Sequence, residues 1–251
     1  MDPIHVYSEI GKLKRVLVHT PGLEIENLTP KWLKDLLFDD IPWLEKAQEE
    51  HDYFKNVLRN HGVDVVELSD LVTEAIATDS IRIEFLKQFI DESLVSHPVT
   101  KKKLYDYLSH LDTKTMILKT MAGIPKEDLP SYKKRSLMDH IRDYPFITDP
   151  MPNLYFTRDP FSHIFNGVSL NRMYKRARRR ETIYGEFIYR HHPIYKRQPR
   201  FYERFETHPI EGGDILVLSE RVIAVGISER TDPDAIENLA KTLLSLQPAF
   251  R

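Results

Sequence analysis

The spacing of apolar residues along the 251-residue chain changes several times, and each change predicts a new element. In LKRVLVHTPG (13–22), Val16-Leu17-Val18 form a continuous run stopped by Pro21-Gly22, which predicts a short buried strand. Over 41–61 the spacing becomes helical, with Ile41, Leu44, Ala47, Phe54, Val57 and Leu58 near one face. Gly62 supplies a stop, and VDVVEL (63–68) predicts a second strand. Strand, helix and strand over this length make an α/β unit whose strands are expected to run parallel.

From Leu68 to about Ser136 the period stays helical, in DLVTEAIA, IRIEFLKQFI, KKKLYDYLSHL and TKTMILKTMAGI. Asp70, Thr100 and Asp112 are the candidate N-caps of this small helical insertion. YPFITDPMPNLYFTRDPFSHIF is rich in aromatics and proline, which suits short strands joined by constrained loops. A long amphipathic helix is expected over 173–190. EGGDILVLSERVIAVGISERTD (211–232) predicts two strands, Ile215–Leu218 and Val222–Val225, around a turn. A helix over Pro233–Leu246 follows, and Phe250-Arg251 has no obvious capping strand. The pattern divides the chain into an α/β part (1–68), a helical insertion (69–136) and a further α/β part (137–251).

Composition narrows the function classes. Hydrophobic residues at 41% and charged residues at 29% describe a soluble globular protein. A formal charge of -2 removes any global pull toward nucleic acid. No apolar run is long enough to span a bilayer, so no membrane partner is expected. MDPIHVYSEIG carries no basic head before an apolar stretch, so a cytoplasmic location is the default expectation. With no cysteine, the chain has no disulfide, thiolate metal site or cysteine nucleophile. His191-His192 and the other nine histidines show no HExxH spacing, and GxGxxG and GxxxxGK[ST] are missing, so neither metal nor cofactor is expected.

Three segments carry candidate chemistry. In TRDP (157–160), Asp159 offers a carboxylate that accepts two parallel N–H bonds from a guanidinium. The plainer alternative pairs Arg158 with a distant acid and leaves Asp159 capping a turn before Pro160. In EGGD (211–214), Gly212 and Gly213 permit positive φ or close approach to a ligand, and Glu211 is a candidate proton shuttle. A β-bulge or hairpin turn with solvated acids is the alternative there. Arg230 in SERTD (228–232) and Arg178 in RMYKRARRRE (172–181) are candidate clamps for a carboxylate. Their alternatives are a surface ion pair and a solvated helix face, with a nucleic-acid patch a remoter option for the basic run.

Taken in order, IHVYSEIGKLKRVLVHTPG, DPMPNLYFTRDPF, RRRET, IEGGD and VGISERTD resemble the bacterial arginine deiminases, members of the guanidino-group-modifying superfamily. The resemblance covers 4 to about 245. It implies an α/β fold, an incomplete five-bladed α/β propeller carrying the helical insertion. It also implies hydrolysis of L-arginine to citrulline and ammonia as the family's reaction. Carried over by position, Asp159 would grip the guanidinium and Glu211 would support its binding and proton transfer. Asn153, Arg178 and Arg230 would hold the substrate's carboxylate end, Phe156 would line the slot, and Gly212, Gly213 and Asp214 would support the loop.

The sequence departs from the family at the chemistry. The family's nucleophile is a cysteine near its C-terminus, and no cysteine is present. The family's His-Leu-Asp-Thr motif, which follows EGGD, is also missing there. The same letters at His110-Leu111-Asp112-Thr113 lie inside the helical insertion, where Leu104, Leu108 and Leu111 continue a helix stripe. They are read as coincidence. The expectation is a truncated arginine deiminase-like chain, inactive alone, with self-association or a complementary C-terminal chain covering its open edges. A non-catalytic arginine-binding or regulatory protein, or one half of a split enzyme, is the alternative.

Overall fold

The computed structural model describes residues 3–93, 95–129, 132–134, 137–141 and 143–246. Ser136 and the Phe250-Arg251 end lie outside the described residues. In chain order the first elements are β1 (Arg15–Val18), α1 (Leu23–Glu26), α2 (Leu44–Asn60), β2 (Asp64–Glu67) and α3 (Leu68–Ala75). Next come α4 (Asp79–Glu92), α5 (Pro98–Ser109), α6 (Thr113–Ala122), β3 (Ile124–Pro125), α7 (Leu137–Ile141) and β4 (Phe146–Thr148). The last are β5 (Phe161–Ile164), β6 (Gly167–Leu170), α8 (Thr182–His191), β7 (Arg200–Tyr202), β8 (Ile215–Ser219), β9 (Val222–Val225) and α9 (Pro233–Leu246). This is a mixed α/β chain whose small sheets have two or three strands each among the described residues, none of them closed. None of its described helices is long and apolar enough to cross a membrane.

The chain forms two compact units. One comprises Met1–His19, Asn56–Ala75 and Phe156–Arg251; the other comprises Thr20–Lys55 and Ile76–Tyr155. In the first, β1 and β2 pair in parallel from Arg15↔Asp64 to Val18↔Glu67, as the strand–helix–strand pattern predicts. Gly62 ends α2 at φ 76, a left-handed angle that glycine adopts at low cost. β5, β6 and β7 form a sheet in that order, antiparallel then parallel. β8 and β9 form an antiparallel hairpin in which Ile215 and Val217 point inward while Leu216 and Leu218 point outward. Ala235, Leu239 and Leu243, spaced one turn apart on α9, join Ile215 and Val217 in a core with Phe165 and Phe201.

Two expectations in this unit need correction. α3 begins at Leu68, directly after β2, so Asp70 sits in its first turn and not at its N-cap. The span 173–190 is not one amphipathic helix. It holds a 3-10 turn over Arg176–Glu181 and then α8, in which every residue from Thr182 to Tyr189 is buried. The basic run failed as a solvated face because Arg178 and Arg180 turn inward.

In the second unit α4 packs on α5. Phe85, Leu86, Phe89 and Ile90 are buried on α4, and Leu104 and Leu108 on α5. Asp112 caps α6 as expected, accepting the Thr115 N–H at 3.0 Å. Thr100 does not cap α5; His97 does, with Pro98 in the first helical position, and Thr100 is buried inside the helix. The apolar stripe expected on α2 is largely outside, with Phe54 50% exposed. Its buried residue is Lys55, whose Nζ lies 2.7 Å from Thr20 Oγ1 and 2.8 Å from Asp52 Oδ1. The side chain is buried while its ammonium keeps two oxygen partners.

Candidate functional site

The candidate residues other than Asn153 lie in the first unit, where three loops are tied together by backbone and side-chain bonds. TRDP enters β5, and Thr157 Oγ1 anchors it by donating to the Leu17 carbonyl of β1 at 3.0 Å. Arg158 turns away and acts as a latch. Its Nη1 and Nη2 reach both oxygens of Glu9 at 3.1 and 2.9 Å, and its Nε donates to the Gly212 carbonyl at 3.0 Å. Arg158 therefore follows the distant-acid reading, while Asp159 is left to face a cleft. The Asp159 carbonyl is in turn held by the N–H of Gly212 (3.1 Å) and the amide of Asn171 (2.7 Å).

EGGD forms a 3-10 turn beside that loop, not a bulge. The Glu211 carboxylate is buried and accepts the Tyr174 N–H at 3.1 Å on Oε1 and Arg230 Nη1 at 3.2 Å on Oε2. The Glu211 N–H donates to Thr231 Oγ1 at 3.2 Å, and Thr231 Oγ1 donates to Asp214 Oδ2 at 2.5 Å. Ser228 Oγ donates to the same Asp214 oxygen at 2.7 Å. The SERTD loop thus orients both acids of EGGD through hydroxyls as well as through its arginine.

Arg178, 2% exposed, lies between two carboxyls. Its Nη1 is 2.8 Å from Asp159 Oδ2 and its Nε is 2.9 Å from Glu181 Oε2. Its guanidinium carbon sits 6.0 Å from the centre of the Phe156 ring. Burial pushes the Glu181 carboxyl up to about 8, against the pull of Arg178, with the charges of Asp159 and Glu211 adding to the rise. Glu181 had no assigned role in the sequence. The i,i+3 spacing of Arg178 and Glu181 was the one local signal that could have found it.

The cleft has a volume of about 330 Å³ and is lined by Asp159, Glu211, Gly213, Asp214, Ser228, Glu229 and Arg230. Asp159, Glu211, Asp214 and Arg230 are therefore brought to one opening, with Arg178 behind Asp159. Asn153 belongs to the second unit, where it is buried and donates to the Leu36 carbonyl at 2.9 Å. Outside the cleft's lining residues, His208, Asp232 and Asp234 bring one ligand atom each within 4.8 Å of one another. Asp232 Oδ1 there accepts the Asp234 N–H at 2.8 Å, as a cap for α9.

The sequence model of the family described as arginine deiminase matches residues 34–251. The chain belongs to the arginine deiminase family. It is similar to the arginine deiminase of Streptococcus agalactiae serotype V, with 52% identity over 254 residues, 99% of this chain and 62% of that protein. The arginine deiminases of Streptococcus pyogenes and Streptococcus equi subsp. zooepidemicus are each 51% identical over 255 residues, with the same shares covered. The chain thus spans 62% of the length of these arginine deiminases.

Proposed function

We propose that this chain carries the guanidinium-recognition part of an arginine deiminase and binds without turning over. The observation that supports this most is the convergence of Asp159 and Glu211 on one cleft, with arginines at each carboxylate. A guanidinium entering there meets the two acids, and charge-assisted bonds of this kind are strong and directional. Asp214, Gly212 and Gly213 serve as the frame of the cleft, and Phe156 as its aromatic edge.

In the family's reaction a cysteine thiolate attacks the guanidinium carbon, ammonia leaves, and water then hydrolyses the amidino-thioether to citrulline. With no cysteine in the sequence, that bond has no sulfur to form it. Glu211 then keeps its recognition role and has no covalent intermediate to serve. The small sheets of the first unit fit partial blades of the propeller that the family resemblance implies, and the cytoplasm is the compartment in keeping with an arginine hydrolase. Outward-facing Leu216, Leu218 and Val222 on the β8–β9 hairpin support self-association or a complementary chain as the partner.

The test is a titration of methylguanidinium followed by NMR shifts of the Gly213 and Asp214 amides. The wild type should bind weakly, near the millimolar range (about 4 kcal/mol), and Asp159→Ala should lose at least about tenfold. Equal binding by both proteins would remove the proposal.

A further inference from the structure

Arg178 is shared between two acids that are not equivalent. Its Nη1 lies 2.8 Å from Asp159 Oδ2 and its Nε lies 2.9 Å from Glu181 Oε2. Asp159 lines the cleft, whereas Glu181 is buried and is not among the lining residues. The second Asp159 oxygen, Oδ1, lies toward the lining residue Gly213, where an added methyl would come 3.4 Å from it. One oxygen of Asp159 is thus tied to Arg178 and the other is turned to the glycine edge of the cleft.

An arginine that bridges two carboxyls divides its charge between them. With Glu181 ionised, Arg178 is drawn to both acids, and Asp159 keeps more of its own charge for a ligand. With Glu181 protonated, Arg178 neutralises Asp159 more fully. The charge of Glu181 also acts through space in the same direction, because an anion near Asp159 favours a cation bound there.

We propose that Glu181 is a positioning residue of the cleft: its hold on Arg178 sets how much of that arginine's charge falls to Asp159, and so how strongly Asp159 grips a guanidinium. This rests on the guanidinium reading of the cleft and adds to it a residue that acts only through another. The charged groups facing Glu181 are Arg178 on its own turn, Asp159 on the TRDP loop and Glu211 on the EGGD turn. Arg204, bonded to the Arg179 carbonyl of the same turn, is matched by Glu186 at 2.9 Å. Burial, with the charges of Asp159 and Glu211, keeps a proton on Glu181 up to about pH 8 against the pull of Arg178. A guanidinium bound at Asp159 adds positive charge and favours release of that proton. Affinity therefore rises with pH until Glu181 is ionised in the free chain, and is level above.

The experiment is calorimetric titration of the full chain with methylguanidinium, which stays cationic throughout, at constant salt between about pH 6.5 and 9 and in two buffers of different ionisation enthalpy. Wild-type affinity should rise at least about threefold across that range, with protons released on binding at neutral pH. Glu181→Gln, with its fold checked by circular dichroism, should bind at the wild type's low-pH affinity at every pH and release no proton. A uniform loss in the variant with the pH slope kept would mean that Glu181 serves only the fold, and would overturn the proposal. Wild-type binding that is flat with pH and releases no proton would also overturn it; that result needs no variant and leaves the guanidinium reading standing. Binding at no pH would overturn both.

Discussion

The Cα of Gly212 sits so close to the backbone carbonyl of Arg158 that a methyl group there would overlap it, with the Arg158 carbonyl carbon only 2.9 Å from the added atom. Ser162 Oγ crowds the same point. The constraint is space and not backbone angle, because the glycines at positive φ among the described residues are Gly62 and Gly123. The glycine at 212 lets the EGGD turn lie directly on the loop that carries Asp159. Gly212→Ala should therefore destabilise by about 1–3 kcal/mol, since backbone cannot yield as a flexible side chain would. Urea unfolding measures it; a loss under about 0.5 kcal/mol would show that the two loops separate easily.

The latch at Arg158 has a pH signature. Its hydrogen bonds hold the Glu9 carboxyl below the usual carboxylate range, helped by the Val217 N–H and opposed by partial burial. A depressed folded pKa gives stability that is present above the unfolded value of 4.5 and lost as pH falls through the folded one. Glu9→Gln should remove this part of the acid sensitivity while costing little at neutral pH, because the pair is partly exposed and screened. Unfolding midpoints of both proteins between about pH 3 and 6 supply the comparison.

Glu181 acts with the opposite sign. Its folded pKa is raised from 4.5 to about 8, so in that window the folded protein keeps a proton that the unfolded chain releases. Stability from this group falls as pH rises from about 4.5 to 8 and is level above. Glu181→Gln is neutral throughout and should flatten the fall. Parallel stability curves for variant and wild type across that range would contradict the assignment.

The reach of the sequence is clearest in α9 and the β8–β9 hairpin, which form where their apolar runs predict, with Gly226 directly after β9 and Pro233 opening α9. The span 173–190 was misread because its charges are neutralised by partners that local spacing does not display. Arg204 reaches Glu186 at 2.9 Å and Thr182 Oγ1 at 2.6 Å, and both buried partners come from a helix distant in sequence. The stripe expected on α2 was misread for a related reason: Lys55 is the buried residue there, held by Asp52 one turn away and by Thr20, 35 residues away in sequence. At the site, Asp159 and Glu211 were legible as members of a family pattern. Their common opening was not, because it is built by Tyr174, Ser228 and Thr231, whose backbone and hydroxyl groups carry no distinctive letter in a chain.

The four letters His110-Leu111-Asp112-Thr113 provide a control. His110 is the last cap of α5, and Asp112 begins α6. Asp112→Ala should cost about 1 kcal/mol of stability through the lost cap and leave guanidinium binding unchanged. Paired thermal melts and methylguanidinium titrations measure both; a binding loss without a stability loss would return that motif to the functional site.

The central claim is that recognition is present here without the sulfur that breaks the carbon–nitrogen bond. Ammonia release from L-arginine by the purified chain alone tests it most directly. The expected result is a rate indistinguishable from a protein-free blank. Stoichiometric ammonia and citrulline at an ordinary enzymatic rate, about 1 per second or more, would contradict it.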